Sequence, residues 1–168
     1  MEYLKSKIKG VFVVICGIDG CIFDNLHRAH LVPKDRSFTP NWTEFNKACV
    51  DDKPISAVIN LVKHLADRGN RTIVFVTSRG DNVRHETKEQ LFHQFHSYGC
   101  RLVMRPMDDH RDTIDYKRDV LNELENEFTE DSIIIDDHPG IVEMVANDFP
   151  ELNRLLVPSF DCTVLYAG

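Results

Sequence analysis

Apolar and polar residues fall along the chain in two kinds of block. Short continuous runs rich in β-branched residues, "VFVVIC" at 11–16 and "TIVFV" at 72–76, read as strands buried on both faces, and "RLVMRP", "SIIID" and "RLLVP" predict three more. Between them apolar residues recur at helical spacing. Ile55, Val58, Ile59, Val62, Leu65 and Ala66 predict a helix that starts near Pro54 and stops at Gly69. A second helix is predicted over 82–98. A third, over 114–128, carries Tyr116, Val120, Leu121 and Leu124 on one face, and a fourth begins at Pro139. Residues 25–53 are mixed and polar, with a short helix predicted after Thr39-Pro40 through Trp42, Phe45 and Ala48.

Strands that alternate with helices predict an α/β fold, a Rossmann-like parallel sheet with helices on both faces. No repeat, low-complexity tract or linker divides the chain, so residues 1–168 read as a single domain, long enough to bury a core. The segment 25–53 reads as a short cap-like or lid insertion, too short for a full cap domain.

Composition narrows the function classes. No apolar run approaches the roughly 20 residues that span a bilayer, and "MEYLKSKIKG" lacks the apolar stretch of a secretory signal. The five cysteines are widely spaced and form no CxxC pair, which favours reduced thiols in a cytoplasm over a disulfide framework or a zinc knuckle. A net charge of −7 argues against an extended duplex-binding surface but leaves room for a local basic pocket. Oligomeric state is not legible.

Ligands of open parallel sheets sit at the carboxyl ends of the strands. That rule predicts convergence of Gly17–Asp19, Thr77–Arg79, Arg105 and Asp136–Asp137, residue types suited to phosphoryl chemistry. Paired aspartates suit a hard cation such as Mg²⁺. A threonine hydroxyl, arginines and a lysine suit the oxygens of a phosphate dianion. Each piece alone is ordinary; their order, each at the end of a buried run, is specific. His85, His93 and His96 share a helix without a third ligand nearby and read as plain surface or core histidines. Trp42 and Phe45 read more simply as helix packing than as a base-stacking lid, and His110 and His138 are lesser candidates for substrate contact.

On these motifs the chain resembles the haloacid-dehalogenase-like phosphatases over about residues 11–162. "GIDGC" is similar to their D-x-D-G-T/V motif at Asp19 and Gly20, "VFVTSR" to the second motif with Thr77, "DYKRDVL" to the third with Lys117, and "IIIDDHPG" to the acidic fourth with Asp136 and Asp137. A narrower resemblance, carried by His27-Arg28, Ser78-Arg79 and "MRPMDDHRDTIDYK", is to the phosphatase half of bacteriophage polynucleotide kinase and its small phage relatives. The resemblance implies a HAD-like fold with minimal or no cap, and Mg²⁺-dependent hydrolysis of phosphomonoesters through an aspartyl-phosphate. It implies Asp19 as general acid/base, Thr77 on the phosphate, and Asp19, Asp136 and Asp137 at the metal. Arg28, Arg79, Arg105 and Ser78 would contact substrate, with Arg111 a weaker candidate. It also implies the cytoplasm of a bacterial or phage-infected cell.

The departure is at the nucleophile. Gly17 stands where the family has its attacking aspartate, so hydrolysis is expected to fall on the order of 10⁴-fold or more. Cys16 and Ile18 point to the other face of the strand, Asp24 lies beyond the turn, and the thiol of Cys21 replaces a threonine hydroxyl. Loss of one negative charge should let phosphate bind at least as tightly while metal binds less well. The glycine is either an introduced or selected change or the mark of a natural pseudo-phosphatase; the survival of the other motif residues favours the former. Within the enzyme reading, polynucleotide 3′-phosphate ends are preferred over free deoxynucleoside monophosphates. A non-catalytic nucleotide- or phosphate-binding module is the alternative from another class. A receiver domain would place its acidic pair after the first strand, and "GIDGC" is not a dinucleotide-binding G-x-G-x-x-G.

Overall fold

The computed structural model describes residues 12–67 and 71–158. Val11 and Gly69, assigned to a strand start and a helix stop above, lie outside the described residues. In chain order the regular elements are β1 (Phe12–Cys16), β2 (Phe23–Asp24), α1 (Thr43–Lys47), β3 (Lys53–Pro54), α2 (Ser56–Ala66), β4 (Arg71–Gly80), α3 (Arg84–Phe95), β5 (Cys100–Arg105), α4 (Thr113–Leu124), β6 (Ile133–Asp136), α5 (Pro139–Asp148) and β7 (Asn153–Leu156).

The continuous apolar runs become a five-stranded sheet in the order β5-β4-β1-β6-β7, with every pairing parallel. The central strands β1, β4 and β6 are covered on both faces and have no polar side to show water, which is why they read as unbroken hydrophobic runs. Alternate residues of β1 divide between two cores. Val14 and Cys16 pack with Val58, Ile59 and Val62 of α2 and with Leu91 and Phe95 of α3. Val13 and Ile15 pack with Val120, Leu121 and Leu124 of α4 and Ile141, Met144 and Val145 of α5. The fold is therefore the expected α/β sandwich of helix, sheet and helix.

Element boundaries differ from the sequence reading where side-chain bonding overrides propensity. β4 runs on to Gly80 because its ladder with β5 slips: Thr77 faces Met104 and Gly80 faces Arg105, leaving Ser78 and Arg79 between the two registers. Such an irregularity re-aims side chains at a strand's end. Tight turns at Asp81–Val83 and Glu125–Glu127 shorten the second and third predicted helices. Asp112 caps α4, its carboxylate accepting from the Ile114 amide at 2.7 Å.

The excursion from residue 25 to 52 is held at its base by β2 and β3, an antiparallel pair that the hydrophobic pattern did not reveal. Its interior is short helical turns and α1. These lie against the carboxyl end of the sheet rather than forming a separate layered body.

Candidate active site

The loop after β1 is wound around a single carbonyl. The amides of Cys21, Ile22 and Phe23 all donate to the Ile18 oxygen, at 3.3, 3.0 and 3.0 Å, and Gly20 donates to the Phe23 oxygen at 2.8 Å. Gly20 has φ of 68°, the left-handed region that costs other residues a clash with their own Cβ. The turn buries Ile18, Cys21 and Ile22 and leaves Asp19 with a side chain 21% exposed.

Gly17 lies just past β1, its amide donating to Ile135 of β6 at 2.9 Å. A Cβ placed there would stand 3.1 Å from Asp136 Oδ2 and 3.5 Å from Cys21 Cβ. A side chain at 17 would thus rise directly beside the first aspartate of β6's terminal pair. Cys21 does not replace it as a nucleophile. The contact with the Cys16 sulfur at 3.6 Å, then burial, hold its thiol well above the usual range, and the thiol donates to the Ile135 carbonyl.

Asp19 is gripped by both arginines of the motif. Arg79 donates through Nε at 3.0 and 3.1 Å and through Nη2 at 2.7 Å, and Arg28 Nη2 donates to the same carboxylate. Burial alone would raise the Asp19 carboxyl, but the two guanidinium groups overcome it and hold the group below the ordinary carboxylate range. That environment favours the ionised carboxylate. Behind them Asp52, its side chain fully buried, accepts from Arg28 Nε at 2.8 Å, from Nη2 of Arg28 and of Arg79 at 2.7 and 2.8 Å, and bonds His27 Nε2 at 2.9 Å. Gln90 of α3 accepts from Arg79 Nη1 at 2.8 Å and Phe45 O accepts from Arg28 Nη1 at 2.8 Å.

At the other wall, Lys117 of α4 donates to Asp136 Oδ2 at 2.5 Å, while Asp136 Oδ1 accepts from the His138 amide at 3.1 Å. Burial opposes the ammonium charge, yet the Asp136 carboxylate beside it raises the proton affinity of Lys117. Arg105 Nη2 reaches Ser78 Oγ and Thr113 Oγ1 at 3.4 and 3.0 Å. Thr77 Oγ1 accepts from the Arg79 amide at 3.1 Å.

These walls enclose a pocket of about 490 Å³ lined by Asp19, Thr77, Ser78, Arg79, Arg105, Lys117, Asp136 and Asp137 among others. The structure thus brings together eight side chains that the sequence singled out. Arg28 is the exception among the arginines: it is 0% exposed, is not on the pocket wall, and spends its nitrogens on Asp19, Asp52 and Phe45. Expected to contact substrate, it is placed behind Asp19.

Asp19, Asp136 and Asp137, expected at the metal, all line this pocket. Among the described residues no three His, Cys, Asp or Glu side chains are gathered closely enough to hold an ion. Asp19 is turned to two arginines, and Asp136 to Lys117 and a backbone amide, so the donor set as it stands does not fit the resident Mg²⁺ that the fold family implies. The position that would complete it beside Asp136 is Gly17, which has no side chain to give.

Sequence reasoning missed Asp52, Gln90, Asn46 and Thr113. Asp52 sits in an ordinary "DD" and Gln90 on a polar helix, and no local pattern distinguishes either.

A family profile described as "Polynucleotide kinase PNKP phosphatase domain" matches residues 12–148. The chain belongs to that family. It is thereby a phosphatase-domain protein of the HAD-like superfamily, as the motifs implied. A comparison with curated protein sequences finds no significant match. Among solved structures, the chain is similar to one described as "Structure of Pnkp1/Rnl/Hen1 complex", with TM-score 0.67 and 20% identity over 92% of this chain and 48% of that one. It is similar also to "Structure of the Pnkp1/Rnl/Hen1 RNA repair complex", with TM-score 0.66 and 20% identity over 92% and 44%. The chain therefore spans about half the length of these relatives, and the likeness is one of fold. No helix among the described residues is long and apolar enough to cross a membrane.

Proposed function

We propose that the chain is a HAD-like phosphomonoesterase domain directed at the 3′-phosphate ends of polynucleotides, and that Gly17 leaves this form without its nucleophile. One observation carries the reading. The Cβ position of Gly17 is 3.1 Å from Asp136 Oδ2, and Asp136 lines one pocket with Asp19, Thr77 and Lys117. A carboxylate there would face a phosphate held by the Thr77 hydroxyl and the Lys117 ammonium, and would join Asp136 and Asp137 as oxygen donors for Mg²⁺. Asp19, on the turn, would handle the proton of the leaving oxygen and of the attacking water. Arg79 holds its carboxylate in place. The RNA repair assemblies named among the structural relatives are in keeping with a nucleic-acid end as substrate. The free thiols at Cys16, Cys21, Cys49 and Cys100 suit a reducing, cytoplasmic setting.

The test is the Gly17→Asp protein assayed with Mg²⁺ on 3′-phosphorylated oligonucleotides and on deoxynucleoside monophosphates. The expected result is a gain on the order of 10⁴-fold over the parent chain, larger on the oligonucleotide. A gain confined to mononucleotides would instead support a nucleotidase, the reading that the acidic net charge favours. A Gly17→Asp protein that remains inert on the whole panel would overturn the enzyme reading in favour of a phosphate-binding module.

A further inference from the structure

Trp42 is the single tryptophan of the chain. It stands near Phe45 on the excursion, and the two rings have different surroundings. Phe45 is 5% exposed and lies beneath Arg28, whose guanidinium carbon is 4.1 Å from the ring centroid. That ring is packing. Trp42 is only half-buried and lines the pocket. Its ring meets that of Phe45 edge to face, with centroids 5.5 Å apart and planes at 83°, so Phe45 leaves at least one face of the indole uncovered. The indole Nε1 donates to the Arg36 carbonyl at 3.1 Å. The polar edge is therefore satisfied within the excursion, and what the residue has left for a ligand is an apolar, electron-rich face.

The segment that carries the indole is held in place. The helical turn Thr39–Trp42 packs against β4, the strand whose carboxyl end bears Thr77 and Ser78. Thr39 is buried; its hydroxyl donates to the Asp109 carbonyl, and its amide donates to His110 Nδ1 at 3.3 Å. Phe38 packs on the His110 ring with centroids 4.6 Å apart. These contacts tie the excursion to the loop that leads into α4, so the indole is set in the wall before any ligand arrives. The pocket, at about 490 Å³, is of the size that takes a small organic ligand, and a phosphate group alone would fill a small part of it. Thr77, Lys117 and Asp136 line it together with Ser37, Trp42 and His110. The excursion thus adds an aromatic wall to a cavity whose polar groups suit a phosphate.

From this we infer that Trp42 is the platform on which the nucleobase of the terminal nucleotide stacks while its 3′-phosphate is held by Thr77 and Lys117. The inference rests on the proposed function and deepens it, by adding the base to the phosphate as a recognised group. Every base has a π-face, so stacking on one indole recognises a nucleotide without choosing among the four bases. It separates a nucleotide end from a phosphorylated sugar or a small phosphomonoester, which the polar groups alone would treat alike.

A single tryptophan makes the contact directly readable. Because the Gly17 chain is expected to turn over poorly, ligands can be titrated onto the unaltered protein and followed by indole fluorescence and by calorimetry. The ligands are inorganic phosphate, the methyl glycoside of deoxyribose 3-phosphate, and the four deoxynucleoside 3′-monophosphates. The nucleotides are expected to quench Trp42 saturably and to bind more tightly than the abasic sugar phosphate by on the order of tenfold, with little difference among bases. The two base-free ligands should bind without that quenching. In Trp42→Ala the advantage of the nucleotides is expected to vanish while inorganic phosphate still binds, and Trp42→Phe should restore part of it. The fluorescence of the unaltered chain keeps the test independent of how the variants fold. Nucleotides that bind no better than the abasic phosphate, or that bind better with the indole signal unmoved, would overturn the platform alone. No binding of any of these ligands would overturn the phosphomonoester reading and the platform with it.

Discussion

Asp52 Oδ2 accepts from Arg28 Nη2 at 2.7 Å and from Arg79 Nη2 at 2.8 Å, joining through one oxygen the two arginines that grip Asp19. These four side chains come from three places: the excursion supplies Asp52 and Arg28, β4 supplies Arg79, and the loop after β1 supplies Asp19. The excursion is thus a brace for the site more than a lid over it.

Removing that brace leaves two buried guanidinium groups sharing one carboxylate. Asp52→Ala is expected to lose about 3–5 kcal/mol of stability, the usual result of breaking a buried ion pair from one side. Asp52→Asn, which keeps the shape and one acceptor oxygen, should lose less. Equilibrium denaturation in urea measures both, and equal losses would show that charge rather than shape holds the arginines.

Asp19 has its own acid signature. Its carboxyl is lowered from an unfolded value of 3.8, so its contribution is complete above that value and is lost as pH falls through the lower folded-state value. The stability difference between the parent and Asp19→Asn should therefore be constant near neutrality and shrink as pH drops below 3.8. A difference that grows in acid would contradict the ion pairs described here.

Gly17→Asp should change the response to Mg²⁺ as well as activity. The added carboxylate would crowd Asp136, so the variant should be less stable than the parent in chelator. Added Mg²⁺ should raise its thermal midpoint, by the equivalent of about 2.7 kcal/mol at a hundred times Kd. The parent, which lacks the third donor, should respond far less; differential scanning calorimetry separates the two.

Cys21 should not act as a stand-in nucleophile. Its raised thiol is pinned between the Cys16 sulfur and the Ile135 carbonyl. After incubation with a phosphomonoester, intact-mass analysis should find no phosphocysteine, and iodoacetamide should label Cys21 only after unfolding.

The turn itself offers a stability test. Gly20→Ala forces a Cβ into the left-handed region at φ of 68° and is expected to cost about 1–2 kcal/mol, measured by denaturant unfolding.

Much of the site could be read before folding because its pieces are short and local. "GIDGC" fixes an acidic turn with a left-handed glycine, and "IIIDDHPG" fixes a strand that ends in carboxylates beside a helix start. The bonding of Arg28 to Asp19 was not legible, because a basic residue near a motif looks the same whether it faces a phosphate or an aspartate. Arg105 is legible as a basic residue at a strand end, but not as one whose guanidinium lies over Tyr116 and donates to the Ser78 and Thr113 hydroxyls.

The order of apolar runs determined the parallel sheet, its two helical layers and the identity of the residue at each strand tip, since burial on both faces and helical periodicity are properties of neighbouring positions. Tertiary structure alone decided who bonds to whom. Asp19 meets Arg79 across 60 positions, Lys117 meets Asp136 across 19, and Asp52 enters from an unpatterned loop. Charge pairing acts through space, so its partners are set only once the sheet has brought the strand ends together.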